Sequence, residues 1–175
     1  VDRYYIENFL EENSRFIKGT VLEIGDNEYT LKYGKSAVQT SDILHIDASN
    51  TKATIIGDLS DAPQIPDSKY DCIVLTQTLQ LIYDVPLAVV CLQRALAPGG
   101  VALVTAPGIS QIDRGEWGSR WCWSFTTTSI ERLFADVFGL PASRPHTHEA
   151  AGLGPKHVTV GAPPMSSRQV AEAGY

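Results

Sequence analysis

The block from Tyr70 to Pro107 constrains this chain more than any other part of it. YDCIVLTQ, residues 70–77, is a β-branched, apolar run that ends in polar residues, and GVALVTAP, 100–107, is a second such run. Between them Val85, Ala88, Val89, Leu92 and Leu96 fall on one helical face, with Pro86 tolerated in the first turn and Pro98-Gly99-Gly100 as a stop. TVLEIG (20–25), DILHID (42–47) and ATIIGDL (53–59) read as three further strands of the same buried kind. Strands alternating with helices predict an α/β fold, a Rossmann-like parallel sheet with helices on both faces.

The first segment, roughly 3–17, places Ile6, Phe9, Leu10, Asn13 and Ile17 on one stripe and is expected to end at Lys18-Gly19. TTTSIERLFADVF, 126–138, is another helix, with Ile130, Leu133, Phe134 and Val137 as its stripe and Thr127, Thr128 and Ser129 as candidate caps. The stretch between the first two strands has little helical periodicity, so any helix there is short. Residues 139–175 hold five of the ten prolines and three of the four histidines, and only HVTVG, 157–161, reads as a strand. The expectation is one domain over 1–162, C-terminal strands missing or altered, and a flexible tail over 163–175.

At 175 residues, 43% apolar and 19% charged, the chain can bury a core. A net charge of -6 argues against nucleic acid as the main partner. No apolar run approaches the roughly 18–20 residues of a membrane span, and no basic-then-apolar leader is visible. Cys72, Cys91 and Cys122 are odd in number and widely spaced, which reads as a reducing, cytoplasmic setting, with Cys72 and Cys91 as core residues.

In a doubly wound sheet, ligands gather beyond the carboxyl ends of the strands. Those ends carry Glu23, Gly25 and Asp26, then Asp47, then Asp58-Leu59, then Thr76, Gln77 and Thr78. An acid after the second strand is placed to accept from ribose hydroxyls, and Asp58 from the exocyclic amine of a base, so a nucleoside-containing ligand is expected. With no GxxxxGK[ST] and no GxGxxG, nothing is built for a di- or triphosphate, and a nicotinamide oxidoreductase ranks well below. Bland uses stand beside these: Glu23 and Asp47 as helix caps or lysine partners, Asp58 as a turn former. Asp71 and Tyr70 read as structural and His45 as a core histidine. His146 and His148 have no third ligand at useful spacing, so no metal is expected. No nucleophile elbow supports hydrolysis.

VLEIGDN, DILHIDAS, GDLS and the block YDCIVLTQTLQLIYDVPLAVVCLQRALAPGGVALVTAP together resemble a class I S-adenosylmethionine-dependent methyltransferase, over roughly residues 4–138. EIGDNEYT and WGSRWCWSFT are similar to a bacterial subgroup associated with glycosyltransferases and polysaccharide or glycolipid assembly. The resemblance implies S-adenosylmethionine as cofactor. Glu23 and Gly25 would shape its methionine side, with Asp26 and Asn27 in the turn. Asp47 would bind the ribose, Asp58 and Leu59 the adenine, and Thr76 and Gln77 would lie under the methionine. It also implies two further strands after the fifth, the last antiparallel. The chain departs from the family in having Gly25 alone in the first motif, followed by Asp26-Asn27-Glu28, where Asn27 can adopt a left-handed conformation at modest cost, so the turn is feasible.

The function so implied is methyl transfer to an oxygen or nitrogen of a small molecule, with a sugar or glycolipid hydroxyl first. A hydroxyl acceptor needs a base, for which Gln80, Asp84 and Asp113 are candidates by position, although a Gln side chain cannot itself take the proton. Trp117, Trp121 and Trp123 with Arg114 and Arg120 form either a packing lid or an acceptor site. The alternative is a degenerate, non-catalytic member acting as a binding or partner subunit, its open sheet edge favouring a homodimer.

Overall fold

The computed structural model describes residues 2–108, 115, 118–139 and 157–161. In chain order these form α1 (Asp2–Glu12), β1 (Gly19–Ile24), β2 (Val38–His45), β3 (Ile55–Ile56), β4 (Tyr70–Thr76), α2 (Val85–Ala95), β5 (Leu96–Thr105), α3 (Thr127–Phe138) and β6 (His157–Gly161). The six strands make one sheet in the order β3-β2-β1-β4-β5-β6, and every pair is parallel. The chain runs outward from β1 through β3 and returns to β4 on the other side of β1. The direction of winding therefore reverses between β1 and β4, where ligands bind in such sheets.

Alternation along the strands divides the core into two layers. Val21, Cys72, Val74, Val101 and Leu103 face Ile6, Phe9 and Leu10 of α1, together with Ile17. Leu22, Ile73, Leu75, Ala102 and Val104 face α2 and α3. Successive residues of a strand point to opposite faces, so runs apolar at every position need cover on both sides. Each fully buried Leu or Ile here contributes about 1.5–3 kcal/mol. Among the described residues no helix is long and apolar enough to cross a membrane.

Several element ends differ from the sequence reading. The first helix stops at Glu12, and a single 3-10 turn, Ser14–Phe16, completes its stripe. Pro98-Gly99-Gly100 lies inside β5, where the ladder to β4 shifts register between Tyr70 and Cys72. α3 is capped by Thr126, one residue before the candidate caps; its hydroxyl accepts from Ser129 N while the Ser129 hydroxyl accepts from Thr126 N. Between β1 and β2 there are only short helical turns. HVTVG is a strand, parallel to β5.

Polar ties fix the loops at the ends of the sheet. Asp42 accepts from Lys69 Nζ at 2.6 Å, Tyr70 OH at 3.0 Å and Thr54 Oγ1 at 3.0 Å. Asp71 accepts from Thr20 N at 2.8 Å; Gly19 sits at φ +67, and a Cβ there would lie 2.2 Å from that same carboxylate and push it off its partner. Arg94 of α2 donates to Ile65 O and Ala62 O, both at 3.0 Å, and pairs with Asp67. Cys72 and Cys91 are buried free thiols, and Cys122 is exposed.

Candidate functional site

The carboxyl ends of β1, β2 and β4 open onto a cavity of about 490 Å³. β1 supplies Ile24 and Gly25, the end of β2 supplies Leu44, His45 and Ile46, and the turn after β3 supplies Gly57, Asp58 and Leu59. Gln77, Thr78, Gln80, Leu81 and Ile82 follow β4, and Arg120 and Trp121 complete the wall. A mostly apolar lining with a few polar groups suits a small organic ligand.

Gly25 sits at φ +94 with nothing within 4 Å of where a Cβ would project, so its backbone conformation, not crowding, calls for glycine. Its N–H donates to Leu44 O at 2.9 Å and its carbonyl accepts from Asn50 Nδ2 at 2.7 Å. Gly25 makes the turn, and Asn27 does not use the left-handed conformation open to it. Asn27 instead donates from Nδ2 to Ser41 Oγ. Asp26 pairs with Lys52 Nζ at 3.3 Å, which offsets the negative charge of this loop. Neither Asp26 nor Asn27 lines the cavity.

Glu23 is buried beneath the loop and also lies outside the lining. Oε2 accepts from Thr30 N at 2.7 Å and Oε1 from Tyr29 N at 3.3 Å, so its carboxylate caps the helical turn that follows Gly25. Burial pushes its pKa up to about 6, against the lowering effect of those donors. Asp47 is exposed, two residues past the end of β2 and outside the cavity lining. Hydrogen bonding from Ser49 holds its carboxyl below the usual range, and the Arg120 guanidinium acts in the same direction. Because β2 ends at His45, this residue is not in the core as expected: it is half-buried and lines the cavity, with Nδ1 2.9 Å from Asp47 O.

Asp58 lines the cavity and also forms its turn, accepting from Ser60 N at 2.8 Å and Ser60 Oγ at 2.7 Å, so its use in the turn leaves it in the cavity wall. Thr76 ends β4 outside the lining. Gln77 is held at φ +48, a left-handed conformation that costs a non-glycine residue about 1–3 kcal/mol. Its N–H donates to Thr105 O at 2.9 Å and its carbonyl accepts from Gln80 Nε2 at 2.8 Å. Gln80 is 3% exposed, and its Oε1 has no partner. Asp84, a base candidate by position, is instead the N-cap of α2, accepting from Leu87 N, and it does not reach the cavity.

The segment 118–125 lines the cavity with Arg120 and Trp121. Cys122 N and Trp123 N both donate to Gln80 O, at 2.7 and 3.2 Å. Trp123 Nε1 donates to Ile82 O and Tyr83 O, and its ring packs 5.9 Å from that of Tyr83, outside the cavity. Among the described residues Trp121 is the tryptophan that lines the cavity, and its Nε1 is shielded and has no partner there. Asp113, Arg114, Trp117, His146 and His148 lie outside the described residues. Among the described residues no cluster of His, Cys, Asp and Glu could hold a metal ion. The sequence reading missed Ile46, Leu81 and Ile82, apolar residues beside the polar ones it singled out, and Asn50 and Lys52, whose contacts to the Gly25 loop are purely tertiary.

No curated protein matches the chain. Solved structures share its fold. One is a SAM-dependent methyltransferase from Archaeoglobus fulgidus, with a TM-score of 0.60 at 12% identity over 79% of this chain and 69% of that one. Another is the YcgJ protein from Bacillus subtilis, with a TM-score of 0.57 at 14% identity over 77% and 68%. A third is phosphoethanolamine N-methyltransferase 2 from Haemonchus contortus in complex with S-adenosyl-L-methionine, with a TM-score of 0.55 at 17% identity, where the match covers 75% of this chain and 36% of that one. A family model described as a methyltransferase domain matches residues 3–140. That match takes in the whole cavity and most of the chain, which belongs to the methyltransferase-domain family.

Proposed function

We propose that the cavity binds S-adenosylmethionine and that the chain transfers its methyl group to a small molecule. The observation that carries this reading is the position and chemistry of the cavity. It lies where the winding of the sheet reverses, with an open glycine backbone at the end of β1 and Asp58-Leu59 across from it. The residues fit the cofactor. Gly25 admits close approach, Leu44, Ile46 and Leu59 offer apolar surface to a flat base, and Asp58 accepts from an exocyclic amine. Asp47, beside the cavity, keeps its charge for ribose hydroxyls. When bound, the cofactor supplies a methyl group already activated on a sulfonium sulfur, so the protein's work is alignment.

A glycosyl hydroxyl is the first acceptor to test, on the likeness of EIGDNEYT and WGSRWCWSFT to methyltransferases of polysaccharide and glycolipid assembly. A hydroxyl gives up its proton during transfer. Among the described cavity residues, His45 and Asp58 are the side chains able to take it. The second reading is a non-catalytic binding subunit. It is favoured by the use of Asp84 as a helix cap and of one Asp58 oxygen in its turn.

Calorimetry with S-adenosylmethionine, S-adenosylhomocysteine and NAD tests the cofactor. Micromolar binding of the first two and none of NAD is expected, and no binding of either sulfur ligand overturns the reading. A labelled-methyl transfer assay on a panel of sugars then separates the two readings: turnover supports the enzyme, and binding without turnover on any acceptor class supports the partner subunit.

A further inference from the structure

Two buried polar atoms without partners lie on residues of one cavity wall: Gln80 Oε1, an acceptor, and Trp121 Nε1, a donor. Solvent reaches neither. A hydrogen bond from Cys122 N to Gln80 O at 2.7 Å brings the two residues together, since Trp121 immediately precedes Cys122. The orientation of the Gln80 amide is settled at its other end. Nε2 donates to the Gln77 carbonyl at 2.8 Å, and of the two ends of the Gln80 amide only the nitrogen can donate, so Oε1 points the other way. Among the described residues, that carbonyl belongs to the one cavity residue held in a left-handed conformation without being glycine.

We infer that Gln80 is a positioning residue, whose amide links Trp121 of the 118–125 segment to the strained Gln77 peptide in the cavity wall. On ligand binding Trp121 Nε1–H donates to Gln80 Oε1, while Gln80 Nε2–H continues to donate to Gln77 O. The two hydrogen bonds then run through one amide and polarise each other in the same sense. Closure on the ligand and fixation of the Gln77 backbone become a single event. The inference takes its ligand from the cofactor reading above and goes beyond it in naming what couples that segment to the wall.

The test is a double-mutant cycle read by calorimetry with S-adenosylhomocysteine. Gln80→Leu removes both ends of the link but leaves the main-chain carbonyl that holds Cys122 and Trp123. Trp121→Phe keeps an aromatic ring and removes only the donor. Each single variant is expected to weaken binding roughly tenfold, and the double variant by about the same factor. Weakening in the double variant that multiplies to roughly a hundredfold overturns the link, because unrelated packing losses would add in free energy. A second readout is the indole N–H resonance of Trp121, assigned by its loss in Trp121→Phe. It should move downfield when S-adenosylhomocysteine is added to the wild type and stay in place in Gln80→Leu. An equal movement in both refutes the proposal. Gln80→Glu, which keeps an oxygen toward Trp121 and loses the donor to Gln77, should retain the indole shift while weakening binding. It also serves if Gln80→Leu does not fold. A wild type that binds no S-adenosylhomocysteine overturns the cofactor reading itself, and this inference with it, in the first titration.

Discussion

Glu23 carries a charge that the fold does not favour, and the size of that penalty can be measured. Its carboxyl is 3% exposed beneath the Gly25 loop. Burial raises its pKa from an ordinary 4.5 to about 6, although Thr30 N and Tyr29 N both donate to it. At about 1.36 kcal/mol per pKa unit, ionising Glu23 in the folded protein costs roughly 2 kcal/mol of stability. The sign follows from the raised value. The contribution is fully present below pH 4.5, where the group is protonated in both states, and is lost as pH rises through about 6. Glu23→Gln removes the titration. It also turns an amide N–H toward one of the two main-chain donors, an offset of about 1–3 kcal/mol that does not vary with pH. Urea unfolding of the wild type and the variant in parallel, across roughly pH 4–8, isolates this group from every other carboxylate. The stability difference, wild type minus variant, should fall by about 2 kcal/mol across that window. A flat difference, or one that rises with pH, would show that the two N–H donors outweigh burial and refute the reasoning.

Three further outcomes are expected. Gly25→Ala should cost about 1–3 kcal/mol of stability through its positive φ alone and weaken S-adenosylhomocysteine binding, as thermal melting and calorimetry would show. Asp84→Ala should lose about 1 kcal/mol as a helix N-cap while leaving cofactor affinity unchanged, and a loss of affinity would return Asp84 to the site. Tyr70→Phe deletes one of three donors to Asp42 and should destabilise by roughly 1 kcal/mol in urea unfolding without altering ligand binding.

The strands that could be read from the sequence were those with an unbroken apolar run, such as residues 72–75, because burial on both faces leaves a pattern that nothing local overrides. β4 is the clearest of these. β2 was placed late because Val38 to Ser41 are polar or half-exposed where the strand pairs with β1 alone. The sequence pattern therefore puts Asp47 at the strand end and His45 inside the strand, whereas β2 ends at His45 and Asp47 lies two residues beyond it. At the site, Gly25, Asp58, Leu59, Gln77 and Gln80 were legible because strand ends in a parallel sheet converge by topology. Glu23 was legible as polar but not in its use, since its partners, Tyr29 N and Thr30 N, are main-chain groups with no signature in the sequence. The ties of Asn50 to Gly25 and of Lys52 to Asp26 join loops on neighbouring strands and exist only once those strands have paired. Asp84 shows the opposite case, an acidic residue near a ligand site whose position before Val85-Pro86 already spelled a helix cap.

β3 is only two residues long, so the sheet itself gives little hold on the turn that carries Asp58 and Leu59. What locates the chain beyond that turn is Arg94, which reaches from α2 to Ala62, Ile65 and Asp67. One wall of the cavity is therefore measured off from a helix as well as from the strand that leads into it. An insertion just before Asp58 would break the last rung of pairing, where Gly57 N donates to His45 O at 2.9 Å. The same change between Leu59 and Asp67 would put the wall out of step with its gauge, and the cavity would change shape while the sheet stayed whole.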